Sequence, residues 1–149
     1  MIVKNKKTET FNPRPHSFIH LMEMYEHNYI KLRLFCGNIK DLPEISVSKV
    51  SGVVPVQLEV LERASHTTTL MLSYCFEDGD KRPDLKIQVY HDSRQADVIS
   101  RNCRLTGRDI RLWEKQIDSV LLCRWRLNRF LYKWLKHLEY QGHSFKKNN

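Results

Sequence analysis

Tyr90, His91 and Asp92 stand together in a segment of alternating apolar and polar residues that runs from residue 85 to residue 101. Imidazole titrates near neutrality, which makes His91 a candidate general base or ligand. That role requires a partner carboxylate, and Asp92 is the nearest one in the sequence. Because adjacent side chains of a strand point to opposite faces of a sheet, Asp92 is poorly placed to orient His91. The three residues are therefore candidates for lining a pocket, and their spacing predicts no catalytic pair.

The same residues also have a structural interpretation, as the turn of a β-hairpin. Leu85, Ile87 and Val89 alternate with polar residues, as in a strand that buries one face, and this parity turns His91 toward the core. Asp92 is suited to accept a hydrogen bond from the backbone amide two residues later, which fixes a turn. We therefore interpret this segment first as a stabilised hairpin turn and second as the rim of a binding site.

A second candidate site consists of cations near the C-terminus. Between Asp118 and Glu139 the chain carries no acidic residue and five basic ones, namely Arg124, Arg126, Arg129, Lys133 and Lys136. The last four are spaced by three, four and three residues, which places them on one face of a helix. Such a positive stripe can neutralise phosphates and bind nucleic acid in a salt-dependent manner. The alternative is that these residues form the solvated side of an amphipathic helix, although such a side usually mixes both charges.

Apolar periodicity predicts the elements that position these residues. Apolar residues at spacings of three and four indicate a helix over residues 17–36, which ends at Gly37. The same period returns near the C-terminus and predicts a long helix that reaches about Tyr140 and is closed by Gly142.

Between residues 45 and 101 the apolar period changes from 3.6 to two, which is typical of strands with one buried face. The connections are too short for crossover helices, so the strands form an antiparallel meander of four or five strands. The predicted fold class is α+β, with both helices able to cover one face of the sheet. The other face then requires water or a partner, and a homodimer would supply one.

Length and charge further constrain the domain organisation and the choice of partner. The 149 residues suffice for one domain, which we assign to residues 17–143, with a flexible tail over 1–16 and a disordered tail over 144–149. The net charge of +8 favours attraction to anionic partners. No apolar run reaches the ~18 residues of a membrane helix, and no secretory signal is present, so we expect a cytoplasmic protein without a membrane partner.

The cysteines and glycines carry no catalytic or metal-binding motif. Four cysteines lie far apart at positions 36, 75, 103 and 123, which predicts free thiols in a reducing compartment and disfavours zinc. Cys75 and Cys103 fall in predicted strands. The chain has no nucleophile elbow and no phosphate-binding glycine loop. We therefore expect no metal, no cofactor and, on balance, no enzymatic activity.

Several segments together resemble the YqiB-like proteins, a family of small uncharacterised bacterial proteins. The resemblance rests on Met22-Glu-Met-Tyr-Glu-His-Asn28, Thr67-Thr-Thr69, Val89-Tyr-His-Asp92 with Ala96-Asp-Val98, Asn128-Arg-Phe-Leu131, Trp134-Leu135 and Gly142, which occur in the same order. It implies a cytoplasmic bacterial protein of one compact domain. It implies no activity, cofactor or catalytic residue.

Two functions follow from the sequence. The first is a non-enzymatic binding or adaptor module whose basic helix contacts an anionic partner, either nucleic acid or an acidic protein. The second is a small enzyme or ligand-binding protein with a pocket near the hairpin of Tyr90, His91 and Asp92.

Overall fold

A five-stranded sheet lies between two helices in the order of the chain. The computed structural model describes residues 18–100, 103 and 113–146, except for the side chains of residues 113–119. The elements in chain order are helix α1 (Phe18–Cys36), a 3-10 turn (Ile39–Asp41), strands β1 (Ile45–Ser48), β2 (Val56–Arg63), β3 (Thr67–Cys75), β4 (Lys81–Tyr90) and β5 (Gln95–Val98), and helix α2 (Trp113–Tyr140). The predicted α+β class and both predicted helices are confirmed within the described residues.

The sheet is an antiparallel meander in which each strand pairs with its neighbour in sequence, in the order β1-β2-β3-β4-β5. Its register aligns apolar residues across the strands. Leu72 of β3 lies opposite Leu58 of β2 on one side and Leu85 of β4 on the other. Since side chains alternate between the faces, this alignment gives the sheet one continuous apolar face.

Both helices pack against that apolar face. The sheet contributes Val56, Leu58, Val60, Leu70, Leu72, Leu85, Ile87, Val89, Ala96 and Val98 to the core, and the helices contribute Tyr29, Leu32, Phe35, Leu131, Trp134, Leu135 and Leu138. The strand residues of this core share one parity along each strand. The apolar alternation of the sequence therefore identified the buried face correctly.

The segment after α2 folds back onto the domain. Gly142 adopts a φ of 95°, a conformation that favours glycine and turns the chain out of the helix. His143 Nδ1 lies 2.9 Å from the hydroxyl oxygen of Ser48 in β1. The amide of Phe145 donates to the carbonyl of Phe35, at 2.9 Å, in the last turn of α1. Residues 144–146, which the sequence placed in a tail, thus contact both β1 and α1; residues 1–16 and 147–149 lie outside the described residues.

The cysteines differ from the sequence-based expectation. Cys103 and Cys123 form a disulfide, with their Cα atoms 5.8 Å apart, so the prediction of four free thiols is wrong for these two. Cys103 also lies outside the strands, because β5 ends at Val98. Cys36 and Cys75 are free, and burial raises the pKa of the Cys36 thiol to about 12. Sequence spacing did not reveal the pair because the chain brings α2 back to this segment only in the folded protein.

Neither described helix is long and apolar enough to span a membrane.

The core packing predicts a large effect at the centre of the sheet. Leu72 is fully buried, so we expect Leu72→Ala to lower the free energy of unfolding by about 2–5 kcal/mol, through lost apolar burial and a residual cavity. Leu61→Ala is the control because Leu61 is 41% exposed. Urea unfolding followed by circular dichroism measures both variants. A similar loss in the two variants would contradict this account of the core.

Candidate functional site

The hairpin between β4 and β5 separates the two side chains that could have formed a pair. His91 Nε2 lies 2.8 Å from the hydroxyl oxygen of Thr68, a buried residue of β3. Asp92 instead contacts His66, with 2.9 Å between its Oδ2 and the His66 Nδ1, and both side chains are exposed. His91 and Asp92 therefore have different partners, as strand parity predicted.

The surroundings of His91 favour the neutral imidazole. Burial lowers its pKa below the ordinary value of 6.5, and the positive charges of Lys40 and Arg33 act in the same direction. The carboxylate of Asp92 acts in the opposite direction without reversing the shift. A neutral ring held by a threonine hydroxyl is suited to stabilising the turn.

Asn128 of α2 is the centre of a buried polar cluster at the edge of the sheet. Its Oδ1 accepts a hydrogen bond from the backbone amide of Val98 in β5, at 3.0 Å. Its Nδ2 donates to Asp97 Oδ1 and to the carbonyl of Arg124, each at 2.9 Å. The side-chain Nδ2 of Asn28 in α1 donates to the backbone carbonyl of Asn128 at 3.0 Å. The cluster thus joins both helices to the last strand.

Arg124 belongs to this cluster, although the sequence grouped it with the candidate binding cations. Its guanidinium donates to Asp97 Oδ2, and Asp97 is buried. Burial raises the pKa of Asp97, while the hydrogen bond from Asn128 and the charge of Arg124 oppose that shift. Tyr25 of α1 adds a hydrogen bond between its side chain and Arg124, and burial raises its pKa. Arg124 is therefore engaged within the fold.

The other four basic residues of α2 lie at the surface. Arg126, Arg129, Lys133 and Lys136 are all exposed. They share their side of the helix with three further exposed residues, Phe130, His137 and Tyr140. We call these seven residues the basic face.

Few negative charges oppose the basic face. Glu139, the acidic residue in this part of α2, pairs with Lys31 of α1 at 3.6 Å. The guanidinium of Arg129 lies over the ring of Trp125, 5.2 Å from its centroid, which fixes its position without removing its charge. Within the described part of the chain, no carboxylate forms a salt bridge with Lys133 or Lys136. The surface therefore keeps its positive charge.

A groove lies beside the hairpin, between the turn, α1 and the C-terminal segment. Its volume is about 640 Å³, and its described lining consists of Glu26, Tyr29, Ile30, Arg33, Leu34, Gly37, Asn38, Ser93, Arg94 and Lys146. We call it the hairpin groove. Tyr90, His91 and Asp92 do not belong to this lining, whereas the next two residues of the turn do. The turn thus lines the groove through Ser93 and Arg94, and not through the three residues that the sequence singled out.

Sequence reasoning also missed the polar cluster. Asp97 and Asn128 both lie in segments that carry the family resemblance, but nothing in their spacing shows that they meet. The two residues are 31 positions apart in the chain, so the helix must pack against the strand before they meet. The available signal was an acidic residue between the apolar Ala96 and Val98, in a strand expected to be buried on one face.

A protein-family model described as "Protein of unknown function (DUF1249)" matches residues 31–144 of the chain. The match covers the C-terminal third of α1, the whole sheet and α2. Comparisons with curated proteins and with solved structures found no match.

The polar cluster predicts that Asn128 is critical for stability. We expect Asn128→Ala to lower the free energy of unfolding by about 2–4 kcal/mol, because the Val98 amide and the Asp97 carboxylate each lose a buried partner. Chemical denaturation measures the loss. Asn38→Ala, at an exposed position, serves as the control, with an expected cost of about 0.5 kcal/mol. Equal losses would show that the cluster contributes nothing specific.

The lowered pKa of His91 predicts a pH dependence of stability. As the pH falls below about 6.5, the unfolded chain binds a proton at this residue more readily than the folded protein does, so the folded state loses stability. His91→Gln keeps a polar group within reach of Thr68 but cannot be protonated. We expect thermal unfolding between pH 7.5 and pH 5.5 to show a smaller loss in this variant than in the wild type. An unchanged pH slope would exclude His91 as a contributor.

Proposed function

The chain belongs to the DUF1249 family, and we propose that it is a non-enzymatic binding module whose basic face binds nucleic acid. The observation that carries the proposal is the set of four cations, Arg126, Arg129, Lys133 and Lys136, exposed in phase on one helix. Within the proposal, Arg124 has a structural role, since its charge is paired with Asp97.

The spacing of the cations suits a phosphate backbone. From Arg126 to Lys136 the helix rises by about 15 Å, with adjacent cations separated along the axis by about 4.5–6 Å. Cations at such intervals can contact successive phosphates and release their counterions, which makes binding salt-dependent. The Arg129 guanidinium is already held over Trp125, so less of its conformational freedom is lost on binding.

Exposed aromatic rings on the same side favour a single-stranded partner. Phe130 is 46% exposed and Tyr140 is 90% exposed. Large rings at a cationic surface are suited to stacking with unpaired bases. A duplex would leave the rings without this contact, so we expect single strands to bind more tightly than duplexes.

The narrower assignments from the sequence belong to the same proposal. We infer that the protein is a YqiB-like bacterial protein of the cytoplasm, where nucleic acid is an abundant polyanion. Disulfides usually persist in oxidising compartments. The disulfide between Cys103 and Cys123 therefore does not support the cytoplasmic location.

A salt series tests the proposal. Fluorescence anisotropy with a labelled single strand and with a labelled duplex gives the slope of log K against log salt. Because each neutralised phosphate contributes about 0.7 to the slope for single strands, the double variant Arg126→Ala/Lys133→Ala should reduce its magnitude by about 1.4. The matched control is Lys49→Ala/Lys81→Ala, which removes the same charge from exposed positions outside the basic face.

The possible results are distinct. A smaller slope in the basic-face variant and an unchanged slope in the control variant support the proposal. Equal slopes in both variants would assign binding to net charge alone and overturn it. Absence of binding to either nucleic acid at low salt would also overturn it and would favour an acidic protein as the partner.

A further inference from the structure

The hairpin groove combines positive charge with apolar surface. Three of its described lining residues are cationic, namely Arg33, Arg94 and Lys146, against one carboxylate from Glu26. They come from α1, the β4–β5 turn and the C-terminal segment. Convergence of cations from three separate parts of the chain is not explained by the amphipathic pattern of a single helix.

Two of the three cations are positioned by the backbone around them. Arg33 donates from Nε to the carbonyl of Gly37 at 3.1 Å and from Nη1 to the hydroxyl oxygen of Tyr29 at 3.2 Å. Lys146 follows Phe145, whose amide is bonded to α1, and its own backbone amide donates to the hydroxyl oxygen of Ser144 at 3.1 Å. These contacts position the Arg33 guanidinium and the backbone of Lys146 at the groove.

Arg94 is the least expected residue of the groove. Its φ is 57°, in the left-handed region, where glycine or asparagine is the usual residue. Among the described residues, nothing accepts a hydrogen bond from its guanidinium. A long cation therefore occupies a turn position that glycine would fill with less strain, and it lines the groove.

The apolar part of the lining lies on α1. Ile30 and Leu34 are 52% and 55% exposed, and their spacing of four places them next to each other on the helix surface. Large aliphatic side chains beside a cluster of cations match a ligand that has an apolar part and an anionic part. The groove volume of about 640 Å³ lies within the range of small-molecule sites.

We propose that the hairpin groove binds a small amphipathic anion, with a carboxylate or phosphate group at Arg33, Arg94 and Lys146 and a short apolar chain along Ile30 and Leu34. This site is separate from the basic face and does not depend on nucleic-acid binding. Arginine suits the anionic group, because its planar donors match the paired oxygens of a carboxylate or phosphate.

Four probes test the ligand class by isothermal titration calorimetry on the full chain. Octanoate and octyl phosphate carry the same chain with the two anionic groups, octanol lacks the charge, and acetate lacks the chain. We expect saturable binding of octanoate or octyl phosphate and no binding of octanol or acetate at the same concentrations. The tighter of the two octyl anions identifies the preferred group. Absence of saturable binding by both octyl anions at millimolar concentration would overturn the proposal.

Arg94→Gly provides the sharpest variant because it removes both the cation and the strain of a left-handed backbone at a non-glycine residue. We expect its unfolding temperature to be equal to or above that of the wild type, while its affinity for the octyl anion falls about tenfold. Lys81→Ala, with the same change of charge at an exposed site outside the groove, should bind as the wild type does. Unchanged affinity in Arg94→Gly would refute the site.

A second variant separates the apolar contact from the charge. Leu34→Ser lies at an exposed position, so the fold should tolerate it, and the affinity for the octyl anion should fall several-fold. Neither groove variant should alter the salt dependence of nucleic-acid binding. Loss of both activities in Arg94→Gly would show that the groove and the basic face form one site, against the proposal.

Discussion

The hydrogen bond between the side chain of Asn128 and the backbone amide of Val98 is the contact on which the arrangement of this fold depends. β5 is the last strand of the sheet, so its outer amides have no strand to pair with. Asn128 occupies that edge, and the same residue bonds Asp97 and receives a hydrogen bond from Asn28 of α1. A buried polar group is costly unless it is hydrogen-bonded. Here the side chain of Asn128 bonds β5 and its backbone carbonyl bonds α1, so one residue of α2 joins three elements.

This constraint also fixes which surface of α2 faces outward. With Asn128 directed at the sheet edge and Arg124 one turn earlier bonded to Asp97, the helix has a single rotational position. Arg126 and Lys133 then lie at the surface, because they are on the opposite side of the helix. A rotation by one residue would move the exposed cations by about 100° and would break the cluster. The orientation of the basic face is thus a consequence of buried polar contacts rather than of apolar packing alone.

The apolar periodicity of the sequence explains which parts of the fold and of the candidate sites could be predicted. The alternation through Leu85, Ile87 and Val89 fixed a strand and its buried face, and the register confirms it. Helical spacing correctly placed Arg124 on α2 but could not show that Asp97 would pair with it, since the pairing depends on how the helix meets β5. The disulfide and the hairpin groove were missed for the same reason. Each is made by segments distant in sequence, and local patterns describe one element at a time.

Residues that could support chemistry divide into those that the fold engages and those that it leaves accessible. His91 is bonded to Thr68, and Asp97 is paired with Arg124, so each has a structural partner that competes with any ligand. Asn28, Asp97 and Asn128 lie within the segments that carry the family resemblance, and all three meet in the buried cluster. Those segments therefore specify the fold. A functional interpretation must rest on charges that the fold does not neutralise, and these lie on the basic face and at the hairpin groove, where Arg94 keeps a cation at a strained turn.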